Sequence, residues 1–186
     1  MRKKVVLILL TGLFFTTLNA QKVYFTQNGK VSFVSDAPLE LIKASSNELN
    51  GAIDMSNNRF AFKIDIRSLK GFNSALQQVH FYENYMETDL YKSSSFRGKI
   101  IEKIDVNSKE VQNVRAKGIL TIHGVELAMI INAKIKINDE AIEISSEFDV
   151  MLEDLNIRIP TIVYQKIAES INIEVRANLL PQKQTD

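Results

Sequence analysis

His80 and His123 are the only two histidines in the chain, and so the side chains best suited to move a proton near neutral pH. His80 stands three residues before Glu83, a spacing that would let a carboxylate orient the ring as a general base. The same spacing describes an ordinary pair on an exposed helix face, and that is the expectation here. His123 lies in Leu120-Thr121-Ile122-His123-Gly124-Val125, on the polar face of a strand or at its end. A lone histidine beside a glycine is expected to be a structural hydrogen-bonder. Serines are plentiful, but none occupies a G-x-S-x-G elbow or an S-x-x-K constellation. The chain has no cysteine, which excludes disulfides, thiol nucleophiles and thiolate zinc sites. Spacings for calcium loops, phosphate loops and H-E-x-x-H zinc are absent. Asp65, Asp149 and Glu153 alternate with apolar residues, as on a solvated sheet face. No catalytic residue, metal or cofactor is therefore expected. A hydrolase or isomerase using His80 or His123 is the less favoured alternative.

The elements that would carry these residues are strands. Period-two alternation runs from Lys30 onward. Phe60, Phe62, Ile64 and Ile66 share one face, against Lys63, Asp65 and Arg67. Ile142, Ile144, Phe148, Val150 and Leu152 oppose Glu143, Glu147, Asp149 and Glu153. Ile171, Ile173, Val175, Ala177 and Leu179 oppose Asn172, Glu174, Arg176 and Asn178. Val125–Ile137 repeats the pattern, and Val31–Ser35, Leu49–Met55 and Ser94–Val106 supply further strands. One wet and one dry face is the antiparallel signature. Asn28-Gly29 reads as a turn before the first strand, and Asn57-Asn58 and Asn138-Asp139 as hairpin turns. About eight strands at regular spacing predict an all-β sandwich or barrel, and closure would protect the edges. Two stretches break the period. Ser74–Leu90 reads as a helix with Ala75, Val79, Tyr82 and Met86 on one face, capped by Asn73 or Ser74. Pro160–Ser170 reads as a helix of two or three turns.

The 186 residues are 45% hydrophobic and 24% charged, an ordinary globular composition of single-domain length. The formal charge of +1 gives no basic excess for nucleic acid. Arg2, Lys3 and Lys4 precede the apolar run Val5–Leu10, followed by Leu18-Asn19-Ala20. This is the layout of a signal peptide, residues 1–20, cleaved after Ala20 to leave a domain over 21–186. Losing its three basic residues would take the formal charge from +1 to −2. The run is too short to span a bilayer. A periplasmic or secreted protein without an integral membrane segment is expected.

The apolar face then becomes the candidate site. A closed eight-stranded barrel either packs its interior or holds one slender ligand. Phe33, Phe60, Phe62, Phe96 and Phe148 are candidates to point inward.

Three motifs in order resemble the YceI-like family: His80–Tyr91 followed by Phe96, then Leu120–Val125, then Asp154-Leu155-Asn156-Ile157 with Ile159-Pro160. The likeness spans roughly Gly29–Leu179. Lys92 replaces a frequent Pro, Glu126-Leu127-Ala128 replaces Thr-Lys-Pro, and Asn156 replaces a Gly whose left-handed conformation Asn can adopt. The resemblance implies a lipocalin-like antiparallel barrel with helices near its opening, binding a long-chain isoprenoid or similar amphiphile. The tail would lie against Phe33, Phe60, Phe62, Phe96, Ile100, Leu120, Ile131, Phe148 and Val150. A polar head at the mouth, near Ser74–Leu90, would have Arg97, His123 and Lys166 as candidate contacts. A ligand-free interaction or stress-response barrel is the alternative, separable by whether the interior is hollow.

Overall fold

A computed structural model describes residues 23–139 and 141–182; the expected signal peptide and the last four residues lie outside these. Eight antiparallel strands form a closed barrel in sequence order, with the first paired to the last. They are β1 (Val23–Asp36), β2 (Leu41–Asp54), β3 (Arg59–Asp65), β4 (Ser93–Ile100), β5 (Gln112–Ile122), β6 (Val125–Ile137), β7 (Ile142–Met151) and β8 (Ser170–Pro181). Alternation dictates this arrangement. Phe60, Ile64, Ile131, Ile135, Val150 and Ile171 turn inward and are buried, while Lys63, Asp65, Lys134, Asp149 and Glu143 are exposed.

Turn chemistry sets the register. Asp54 accepts hydrogen bonds from the Ser56 N–H at 2.9 Å and the Ser56 hydroxyl at 2.6 Å, and Asn58 takes φ +59°. That closes the β2–β3 hairpin. The same hydrogen bonds, that of the Ser56 side chain first, hold the Asp54 carboxyl below its ordinary range. His123 (φ +51°) and Gly124 (φ +73°) close β5–β6, with Ile122 paired to Val125. Positive φ at both central residues is the I′ requirement.

Several boundaries differ from expectation. Asn28-Gly29 is not a turn before the first strand. It lies within a longer β1, where the register with β2 shifts on either side of Gly29. Such irregularities bend a strand enough to wrap a barrel. The fourth strand ends at Ile100, and residues 101–106 form a loop. Pro160–Ser170 is not a helix of two or three turns. Only a 3-10 turn, Thr161–Val163, forms there.

The predicted helix exists but is divided. Ser74 caps α1 (Ala75–His80) by accepting from the Gln77 N–H at 3.1 Å, and Phe81–Tyr85 continues as a π-helix. The predicted buried face holds only for Tyr82 and Met86; Ala75 and Val79 are exposed. The reason is that α1 roofs an opening instead of packing on a filled core, and the wider π turn re-aims the residues after it.

Candidate functional site

Inside the barrel lies a cavity of about 550 Å³. This falls within the ~300–1,000 Å³ typical of small-molecule sites. Its wall is built strand by strand from inward positions. Phe33 comes from β1, Phe60 and Phe62 from β3, Phe96 and Ile100 from β4, Leu120 from β5, Ile131 from β6, and Phe148 and Val150 from β7. All nine sequence-derived positions therefore face the same space. The floor is sealed by Ile104, Ile137, Ile142 and Leu179, the last two with no exposure at all.

Two aromatic groups bracket the cavity. Deep in the barrel, the Phe60 ring lies 4.9 Å from Phe96 and 6.2 Å from Phe62, centroid to centroid. Under the roof, Phe33 stacks on Phe81 at 5.3 Å, and Phe72 meets both. Phe72, Phe81 and Tyr85 escaped the sequence reading. An aromatic run flanking the helix was the only available signal. Tyr82 fixes the roof to the barrel: its buried hydroxyl donates to the Leu69 carbonyl at 2.6 Å and accepts from Gln78 Nε2 at 2.7 Å.

Polar groups are few and mostly at the mouth. Glu40 accepts from Gln77 Nε2 at 2.8 Å, linking the β1–β2 loop to α1, and His80 and Lys166 also border the opening. His80 is exposed as expected, yet it stands at this rim. Deeper in, Ser94 faces the cavity with its hydroxyl buried and without a hydrogen-bond partner among the described residues. Tyr85 also lines the wall, and burial pushes its phenol above the ordinary 10.0, so it is neutral at physiological pH.

Two of the three head-group candidates are displaced. Arg97 stands on the outer wall, one residue out of phase with Phe96, and pairs with Glu126 at 3.1 Å. His123 is committed elsewhere. Its Nδ1 lies 3.0 Å from the Leu155 carbonyl and its Nε2 2.7 Å from Glu87 Oε2. The Tyr91 ring packs at 4.8 Å, over Gly124, where an added Cβ would meet it at 2.4 Å. Glu87 (φ +43°) and Asn156 (φ +56°) also adopt the left-handed region at this junction. The three sequence motifs, distant along the chain, thus converge on a single clasp that ties the end of the roof to the β5–β6 turn. Asn156 takes the conformation expected of it, as the cap that ends the 3-10 turn Glu153–Leu155. Lys166 alone of the three reaches the mouth.

The YceI-like domain signature matches residues 21–179. The chain belongs to the YceI-like family. No curated protein matches it. Among solved structures, a polyisoprenoid-binding domain from Saccharophagus degradans, implicated in plant cell wall breakdown, superposes with a TM-score of 0.74 at 14% identity. That match covers 87% of this chain and 99% of that one. BcnA of Burkholderia cenocepacia gives 0.66 at 14% identity, covering 81% and 95%. The YceI protein of Campylobacter jejuni gives 0.54 at 16% identity, covering 99% and 100%. At such identities the likeness establishes the shared barrel fold of this YceI-like chain.

Proposed function

We propose that this YceI-like protein is an exported, non-enzymatic carrier that holds one long-chain isoprenoid or similar amphiphile in its barrel. The observation that carries the reading is the hollow, apolar interior of about 550 Å³, floored and roofed by hydrophobic side chains. A filled barrel would serve the alternative of a ligand-free module, and the open interior favours the carrier. The neighbour described as polyisoprenoid-binding supports the ligand class. Each isoprene unit carries five carbons, so burial contributes roughly 4 kcal/mol gross at ~0.8 kcal/mol per carbon. Ordering of the tail offsets part of that. The tail would lie along Phe33, Phe60, Phe62, Phe96, Ile100, Leu120, Ile131, Phe148 and Val150, with the head towards Lys166 and His80. The basic, apolar N-terminal residues support export, with a mature protein beginning at Gln21.

The test is extraction of the purified protein followed by lipid mass spectrometry, with titration of the lipid-free protein by prenyl alcohols and quinones. Co-purified or saturably bound prenyl lipid is expected. Protein that is repeatedly lipid-free and inert to every added prenyl lipid would sink the proposal. Intact mass from the native host retaining Met1 would refute the processing.

A further inference from the structure

We infer that the rim of the cavity is a docking surface for a lipid bilayer, the source from which the ligand is loaded; this rests on the lipid-carrier reading above. Leu39, Ile162 and Tyr164 are 66%, 91% and 61% exposed. Large apolar side chains so exposed are ordinary when scattered, but these three are chain neighbours of Glu40 and Val163, which line the cavity. Hydrogen bonds hold their segments together. The Leu39 N–H donates to the Gln165 carbonyl at 2.9 Å, and Glu40, next to Leu39, accepts from Gln77 of α1. Leu76 of α1 lines the cavity while remaining 64% exposed, so the apolar surface runs from the inner wall to the outside.

The shape favours a fluid partner over a folded one. Ile162 is the middle residue of the short 3-10 turn Thr161–Val163 and is almost fully exposed, a convex knob and not a groove. A knob needs no complementary pocket in the acyl boundary of a membrane, where amphipathic elements lie with their apolar residues inserted. Tyr164 has the matching habit, an apolar ring with a polar tip, its hydroxyl accepting from Gln165 Nε2 at 2.7 Å. Lys166 against Glu40 leaves little formal charge at the rim. A zwitterionic surface therefore suffices, without anionic lipid. Docked this way, the mouth faces the bilayer, and a tail passes from membrane to cavity without crossing water.

The experiment uses phosphatidylcholine vesicles and two variants, Ile162→Asp and Leu39→Asp, at positions outside the cavity wall. Native protein is expected to float with vesicles, and its rate of prenyl-alcohol transfer between vesicles is expected to rise with vesicle concentration. In Ile162→Asp, flotation should fall about tenfold or more, the size of losing one inserted isoleucine. The transfer rate should fall with it. Affinity for prenyl alcohol dispersed in detergent, and the melting temperature, should not change. Flotation and transfer left intact in both variants would overturn the docking surface. So would a concentration-dependent dimer of native protein that Ile162→Asp abolishes, because the knob would then serve a second copy. A native protein that floats but binds no prenyl alcohol in detergent would overturn the carrier reading and leave the docking surface standing.

Discussion

Replacing phenylalanines one at a time distinguishes a wall from a filled core. Phe148, on β7 opposite Ile173 of β8, faces the cavity, is half-buried, and has no ring partner among the described residues. Phe60 also faces inward, but it is 7% exposed and packs against two other rings. Phe60→Ala should therefore show the usual cost of about 3–5 kcal/mol. At ~2–4 °C per kcal/mol for a domain of this size, that lowers the melting temperature by roughly 6–20 °C. Phe148 has protein on one side and open space on the other, so it forfeits only about half the contacts. Phe148→Ala should cost about 1.5–2.5 kcal/mol. Phe148→Trp grows into space already present and should stay below the ~1–3 kcal/mol of an overpacked core. Prenyl-lipid affinity should fall in both Phe148 variants, by lost tail contact in one and by obstruction in the other. Urea melts and lipid titration of all three variants decide the matter. If Phe148→Ala cost as much as Phe60→Ala, Phe148→Trp were equally damaging, and neither altered lipid binding, the open-wall reasoning would be refuted.

The remaining expectations are smaller. His123→Ala removes one bond to a carboxylate and one to a carbonyl and leaves Ala at φ +51°, so urea unfolding should show a loss of about 2–4 kcal/mol. His123→Asn, which tolerates that φ, should lose less. Ser94→Ala deletes a hydroxyl that has no partner, so the lipid-free protein should melt at the same temperature or higher; a clear drop would mean that the hydroxyl is bonded after all. The folded-state pKa of Asp54 is depressed, so the β2–β3 turn contributes stability above the unfolded value, near the ordinary 3.8, and loses it as pH falls further. Asp54→Asn should flatten that acid limb of the stability curve.

Alternation made the wall legible. Once the parity of Phe62, Phe148 and Ile173 is read from their charged neighbours, the other inward residues of those three strands follow, because a strand has only two faces. Local polarity hid other parts. Ser45-Ser46-Asn47 lies inside β2, where Ser46 bonds to the Ser68 hydroxyl at 2.7 Å, and no pattern in the sequence separates it from a loop. Asn28-Gly29 carries turn chemistry, but closure uses it to bend a strand. Ile162, Val163 and Ile167 are spaced as on a helix, yet that spacing reflects an exposed knob beside residues that line the mouth. Residue type makes Arg97 and His123 no more than candidates for the head group. One strand position turned the first outside, and a turn plus two distant acceptors captured the second. Contacts between segments some thirty residues apart carry no local signature.

The seam between β1 and β8 has a kinetic meaning. Lys30 pairs with Arg176 and Val34 with Asn172, so the barrel joins the two ends of the described chain. Closing a loop of that length comes before any reward from the contacts it makes, and folds dominated by such pairings form slowly, in milliseconds to seconds. Until Ser170–Pro181 arrives, β1 and β7 each present an open row of backbone donors and acceptors, beside an apolar inner face with nothing to cover it. Completion is therefore all-or-none in time as well as in space. A chain ending before Ser170 should self-associate instead of surviving as a seven-stranded carrier, and the same delay gives the full chain an interval in which it can be handled unfolded.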